Sequence, residues 1–141
     1  MDNPEKLQHR EFVQSTLIRM SNHSFTLKGL MITIVAAFIG VYVARTNPIF
    51  LLLPIPLIII IWFLDSRYLQ LERKFRGIYE DICDITPKEL KKTTLDYEMN
   101  VNLYQGKEYN FMNVLFSKTV YPLYSVIILC LLLTYVLVYF E

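Results

Sequence analysis

Residues 119–140, TVYPLYSVIILCLLLTYVLVYF, decide the fold, because these 22 residues contain no charged side chain. A helix rises about 1.5 Å per residue, so the stretch is long enough to cross a hydrocarbon core of about 30 Å. Two more apolar stretches, 29–44 and 48–64, lie earlier in the chain. The turn between them contains Asn47, which we expect to cap the second helix. The sequence predicts an all-α membrane protein with three transmembrane helices, the first two forming a hairpin.

The composition agrees with a lipid environment. Apolar residues make up 54% of the chain and charged residues only 19%, whereas soluble domains are about 45–50% apolar and 25% charged. The 14 Lys and Arg residues nearly balance the 13 Asp and Glu residues, and general binding of nucleic acid requires a cationic excess. We therefore expect the lipid bilayer as a partner and no direct sequence-specific binding of nucleic acid.

The distribution of positive charge predicts the topology. Four Lys and Arg residues precede residue 29, one lies in the hairpin turn, nine lie in residues 65–118 and none follows residue 118. Cytoplasmic segments of membrane proteins carry the excess of Lys and Arg. We expect the N-terminus and residues 65–118 in the cytoplasm, and the C-terminus outside.

Four segments follow from these patterns. Residues 1–26 form a cytosolic amphipathic helix, 27–64 the transmembrane hairpin, 65–118 a cytosolic helical segment with a short extended stretch, and 119–140 the third transmembrane helix. The first segment is expected to lie either on the membrane surface or on the protein's own cytosolic part.

The second transmembrane helix is predicted to continue into the cytoplasm. Apolar residues follow Asp65 at spacings of three and four, which is typical of one helix face. We call this row the seam; its members are Tyr68, Leu71, Phe75, Ile78 and Ile82. Such a row is apolar enough to need cover, so we expect a homo-oligomer built around it. Residues 95–103 of the same chain are the alternative cover.

Two local patterns lie further along the cytosolic segment. Thr86-Pro87-Lys88-Glu89 matches a capping box with proline at the first helical position, which predicts a short helix. Apolar and polar residues then alternate over residues 95–103. A period of two predicts an extended, half-buried segment.

Small residues and prolines mark the apolar stretches. Ala36, Gly40 and Ala44 are spaced by four, a stripe that permits close helix packing. It fits either the hairpin's own contact or a contact between subunits. Pro54 and Pro56 lie inside the second stretch, and each removes a helical hydrogen bond. They predict a hinge, or else a tolerated kink.

Motifs of catalysis and metal binding are missing from the sequence. The apolar stretches contain no Asp, Glu, Lys, Arg or His, the residues that transporters use at membrane depth. Cys83 and Cys130 lie on different segments, and His9 and His23, which we expect at the surface, have no neighbours at ligand spacing. We expect no enzyme activity, cofactor or metal.

The junction after the second stretch resembles a known group. Residues 62–80, WFLDSRYLQLERKFRGIYE, together with SFTLKG at 24–29 and FSKT at 116–119, resemble small bacterial membrane proteins. Their layout is similar to that of transmembrane effectors of anti-phage systems, namely the SLATT class and those encoded beside retron reverse transcriptases.

The resemblance implies a location in the bacterial inner membrane and a function in antiviral defence. A cytosolic sensor encoded in the same operon would trigger membrane disruption or pore formation, and the infected cell would stop growing or die. The residues themselves suggest how: the seam extends the helix that contains Pro54 and Pro56, so it would act as a lever on this hinge. The alternative is a non-enzymatic scaffold or assembly subunit of a larger inner-membrane complex.

Overall fold

The computed structural model describes residues 4–92 and 100–140, and every regular element in those ranges is helical. The elements are α1 (Pro4–Arg45), α2 (Ile49–Leu52), α3 (Pro54–Ile82), a 3-10 helix (Val101–Leu103), α4 (Phe111–Leu115) and α5 (Tyr121–Phe140). The predicted helical class is confirmed. Three helices are long and apolar enough to cross a membrane: α1, α2 taken with α3, and α5.

The chain divides into two compact units. The polar unit comprises Met1–Ser24 and Arg67–Val114, and the apolar unit comprises Phe25–Ser66 and Leu115–Glu141. Helices α1 and α3 each contribute residues to both units.

Helix α1 is continuous over 42 residues, so the N-terminal amphipathic segment and the first apolar stretch are one helix. Its face in the polar unit is marked by the buried side chains of His9, Val13 and Thr16, spaced by four and three. The expectation that His9 lies at the surface is therefore wrong, since its side chain is 2% exposed. His23 is exposed and stacks on Tyr68, with 5.4 Å between ring centroids.

The core of the polar unit forms around Val13, Ile78 and Tyr104, which are all buried. Partly buried apolar residues pack against these three: Leu17, Phe75, Tyr79, Ile82, Val101 and Tyr109. The seam residues Phe75, Ile78 and Ile82 are thus covered by their own chain. Val13, Leu17 and Tyr104 of the same chain lie against this part of the seam, and the homo-oligomer built around it stays a prediction.

Helix α3 ends in a Schellman motif. Asp84 adopts a left-handed φ of 57°. The Ile85 N–H donates to the Glu80 carbonyl at 3.0 Å and the Asp84 N–H donates to the Asp81 carbonyl at 3.4 Å. These bonds satisfy carbonyls that would otherwise have no partner at the helix end, and aspartate is one of the few residues that tolerates this conformation.

The helix predicted from the capping box at Thr86 is wrong. Residues 87–90 form a turn in which the Leu90 N–H donates to the Pro87 carbonyl at 2.8 Å. A continuing helix would need the Lys92 N–H for the Lys88 carbonyl, but this N–H donates instead to Oδ2 of Asp81 at 3.0 Å. A tertiary bond to α3 therefore replaces the local helical bond.

The extended segment predicted over residues 95–103 is wrong for the part that the structure describes. Residues 95–99 lie outside the described ranges, and Val101–Leu103 is a 3-10 helix. The Asn100 side chain caps this turn, accepting the Asn102 N–H at 3.1 Å. An asparagine side chain that bonds its own nearby backbone favours a turn over a strand.

The hairpin turn and the prolines lie at element ends. Oδ1 of Asn47 accepts the Ile49 N–H at 3.1 Å, which confirms the predicted cap. Leu53 separates α2 from α3 yet keeps helical dihedrals of −57° and −36°. Pro54 and Pro56 fall in the first turn of α3, directly after Leu53. They lie at the interruption between the two helices, and the hinge itself stays a prediction.

Candidate functional site

A fully buried carboxylate lies in the apolar unit. The side chain of Asp65 is 0% exposed, and its Oδ2 lies 2.8 Å from Lys28 Nζ. The Tyr124 hydroxyl donates to the same oxygen at 3.0 Å, and Lys28 Nζ also donates to Oδ1 at 3.1 Å. We call these three residues the polar triad. They join α1, α3 and α5, because each helix contributes one member.

Lys28 and Asp65 lie at equal distances in sequence from the hairpin turn, which explains why they pair. Lys28 precedes Thr46 by 18 residues and Asp65 follows Asn47 by 18 residues. In a hairpin of two helices with equal rise, such positions face one another. The position of Lys28 at the end of an apolar stretch suggests a side chain that extends to the membrane interface. Lys28 instead pairs with Asp65. Equal spacing from the turn was the signal available in the sequence.

Aromatic rings surround the triad. Trp62 stacks on Tyr124 with 6.1 Å between ring centroids and 10° between ring planes. Phe116 and Tyr121 also contact the Trp62 ring, and Trp62 Nε1 donates to the Leu115 carbonyl at 3.2 Å. The side chain of Asp65 is fully buried, so the electrostatic attraction within the triad is stronger than it would be in water.

The triad has the chemistry of a structural ion pair. A buried carboxylate is costly unless a cation and hydrogen bonds compensate it, and here both do. Lys28 is 26% exposed, so the pair is open to its surroundings at one end. Within residues 4–92 and 100–140 no cluster of His, Cys, Asp or Glu is suited to hold a metal, and both cysteines are free.

The polar unit contains a second buried carboxylate, at Asp81. Its Oδ2 accepts the Tyr104 hydroxyl at 2.5 Å. The Tyr104 ring lies directly on Gly77, where an added Cβ would meet two ring carbons at 2.7 Å. Only glycine allows this approach without displacement of the ring.

Further bonds hold the chain after Tyr104 on α3. Gln70 Nε2 donates to the Tyr109 carbonyl at 2.7 Å, and Arg73 donates to the Glu108 carbonyl at 3.2 Å. The Arg67 guanidinium lies 4.5 Å from the centroid of the Phe111 ring. We call residues 100–111 the docked loop. The sequence offered residues 95–103 as a cover for the seam, and Val101 does pack against this core. The contacts of residues 104–111 had no pattern in the sequence, because they depend on carbonyl groups and on one glycine.

The small-residue stripe lies on the outside of the chain. Ala36, Gly40 and Ala44 are all exposed, and an added Cβ on Gly40 would meet no atom within 4 Å. The interpretation of the stripe as the hairpin's own close contact is therefore wrong. A contact between copies remains a prediction. Of the hinge residues, Pro54 is buried and Pro56 is exposed.

Comparison of the chain with family models, with curated proteins and with solved structures finds no match. The functional interpretation therefore depends on two arrangements of residues: the polar triad in the apolar unit and the docked loop in the polar unit.

Proposed function

We propose that this protein is a transmembrane effector of a bacterial anti-phage system, which permeabilises the inner membrane and arrests or kills the infected cell. Three helices of spanning length and composition support the membrane part of the proposal. The junction at residues 62–80 supports the effector class by resemblance. The polar triad carries the mechanism, because an ion pair shared by three apolar helices stabilises one arrangement of them.

The proposed topology follows from charge. The N-terminus and residues 67–114 lie in the cytoplasm, where positively charged segments are retained. The C-terminal end of α5, which contains no Lys or Arg, lies outside. Fusion reporters inserted at Asn47 and at Gly106 test this arrangement, and an outside signal at Gly106 would contradict it.

The triad holds the helices in the silent state. Separating a buried carboxylate from its cation costs about 3–5 kcal/mol, so loss of the triad shifts the balance between two packings of the apolar unit. Helix α3 carries Asp65 and continues to Ile82, which belongs to the core of the polar unit. A cytosolic sensor that binds the two arrangements unequally can act on Asp65 through this helix.

The proposed leak forms between several copies of the chain. We propose a homo-oligomer joined through exposed faces of the membrane helices, among them the stripe at Ala36, Gly40 and Ala44. The seam, much of which packs within the chain, is not needed for this contact. The helices supply no charged ring or carbonyl-lined filter, so the leak is weakly selective.

Membrane potential in growing bacteria tests the proposal. Asp65→Asn keeps the shape of the side chain and removes its charge, so induced cells should lose potential without any trigger. The matched control is Glu89→Gln, which removes one charge from an exposed turn residue. A potential-sensitive dye reports both, and equal, full potential in the two strains would contradict a holding role of the triad.

The complete operon separates the effector from the scaffold alternative. Wild-type cells should depolarise after phage infection. If they keep full potential while protection persists, the pore mechanism is wrong and a scaffold subunit takes its place. If only Pro54→Ala/Pro56→Ala cells keep potential, the junction of α2 and α3 is the moving part.

A further inference from the structure

A cavity of about 570 Å³ lies in the polar unit beside the end of α3. Its volume falls in the range of about 300–1,000 Å³ typical of small-molecule sites. Three lysines, one carboxylate and two apolar residues contribute to its lining: Lys6, Lys88, Lys91, Asp84, Ile85 and Pro87. It lies outside the polar triad and the docked loop.

The lining carries a net charge of about two positive units. Lys91 is ion-paired with Asp84, which leaves the ammonium groups of Lys6 and Lys88 with no ion pair in the part of the chain that the structure describes. The whole chain has a net charge of only +1, so positive charge is concentrated here. The Lys91 hydrogen bond, followed by the charges of Lys91, Lys6 and Arg10, lowers the pKa of Asp84.

The wall formed by Asp84 and Ile85 is fixed in place. The Schellman bonds from these two residues to α3 set the backbone, and the left-handed φ of Asp84 turns the chain at the cavity. Ile85 is 66% exposed, although it is apolar and rigidly held. A wall that is ordered before binding reduces the entropic cost of holding a ligand.

We propose that this cavity binds a phosphomonoester group in its dianionic form. Two lysines that form no ion pair within residues 4–92 and 100–140 match a charge of minus two, and lysine binds phosphate as a compact point charge. Ile85 and Pro87 provide apolar surface for the organic part of the ligand. Binding here requires no membrane leak, so the site goes beyond the proposed function and stands or falls independently of it.

Calorimetry with inorganic phosphate, at constant ionic strength, tests the site on the full chain in a phosphate-free maltoside detergent. Wild-type protein should bind with a saturable heat. Lys6→Gln/Lys88→Gln should weaken binding about tenfold, since two ion pairs are lost. The control Lys107→Gln removes a charge from the same unit away from the cavity and should change affinity less than about twofold.

Asp84→Asn gives the opposite expectation. Asparagine tolerates the left-handed conformation as well as aspartate does, so the Schellman motif is kept. The substitution removes the competing anion and releases Lys91, so phosphate should bind several-fold more tightly. Three results would each overturn the proposal. They are a wild-type protein that gives no saturable heat, a Lys6→Gln/Lys88→Gln variant that binds phosphate as tightly as wild type, and an Asp84→Asn variant that binds it more weakly.

Binding of two further ligands shows whether the phosphate group belongs to a soluble metabolite or to a lipid. Glycerol 3-phosphate represents a free metabolite and dioctanoyl phosphatidic acid represents a lipid headgroup. Tighter binding of the lipid indicates a headgroup, and equal binding indicates a soluble ligand. In both cases the Lys6→Gln/Lys88→Gln variant must lose affinity, and a lipid that binds this variant as well as wild type contradicts the site.

Discussion

The two units are stabilised in opposite ways. In the polar unit, apolar side chains are inside: Val13 and Ile78 are buried against Tyr104. In the apolar unit, many apolar side chains are outside, as at Ile60 and Leu133, while the charged pair of Lys28 and Asp65 is inside. A chain in water buries its apolar groups, whereas a chain in lipid gains nothing by doing so and must satisfy its polar groups internally. The contrast supports the proposed placement of the apolar unit in lipid and of the polar unit in water.

Substitution of Lys28 should have the largest effect, because it tests the polar interior of the apolar unit. Lys28→Met removes the cation from a fully buried Asp65, which should lower the free energy of unfolding by about 3–5 kcal/mol. Asp65→Leu should cost less, since Lys28 is partly exposed whereas Asp65 is fully buried. Denaturant unfolding in detergent micelles measures both.

The double variant Lys28→Met/Asp65→Leu is the control for this prediction. It replaces a buried ion pair with apolar groups, so it should recover most of the loss. If the two single losses simply add in the double variant, the pair does not stabilise the unit as a pair.

The apolar interior of the polar unit is tested by Ile78→Ala. Ile78 is completely buried, and removal of its side chain should cost about 3 kcal/mol through lost burial and the resulting cavity. Ile60→Ala is the matched change in the apolar unit, where the side chain is 56% exposed. It should cost less than about 1 kcal/mol in the same unfolding measurement. Equal losses would remove the contrast between the units.

Two glycines give a smaller effect of opposite sign. Gly77→Ala puts a Cβ 2.7 Å from ring carbons of Tyr104. The ring must move away from Asp81, which should lower stability by about 1–2 kcal/mol after the gain in helix propensity. Gly40→Ala meets no atom within 4 Å, so it should be neutral or stabilise by up to about 1 kcal/mol. The midpoints of thermal unfolding compare the two variants. A higher midpoint for Gly77→Ala would mean that the docked loop can move away from Gly77 without loss of stability.

High pH should lower the stability of the polar unit, and this is the smallest of the expected effects. Burial, followed by the charges of Glu108, Glu80 and Asp81, raises the pKa of Tyr109 above its usual value of 10.0. The folded state therefore keeps a proton that the unfolded state releases. This contribution to stability is complete below pH 10 and is lost as the pH rises through the folded-state pKa. Hydrogen exchange of residues 100–111 should report the loosening, and Tyr109→Phe should reduce its dependence on pH.

Much of the helical architecture could be predicted from local patterns. The length of residues 119–140 without a charge is sufficient to predict a spanning helix, and the spacing of Phe75, Ile78 and Ile82 correctly extended α3 beyond the apolar stretch. The cap at Asn47 was also predictable, because it depends on a side chain two residues from its donor. In each case the determining interactions lie within a few turns of the chain.

The candidate sites were not predictable in this way. The capping box at Thr86 is a local preference worth about 1 kcal/mol, and the bond from Lys92 to Asp81 outweighs it. The contact of Tyr104 with Gly77 joins residues far apart in the sequence, and no periodic pattern marks it. The triad needs Tyr124 from α5, whose approach to the hairpin is a result of tertiary packing.

Trp62 is the only tryptophan of the chain, and it stacks on the ring whose hydroxyl binds Asp65. When the protein is excited at a wavelength that tyrosine does not absorb, its fluorescence therefore originates at a single position beside the triad. Separation of Tyr124 from the indole would change the polarity around its ring and shift the emission spectrum. The unlabelled protein thus carries its own optical probe, and rapid mixing with a trigger can follow the opening of the triad in real time.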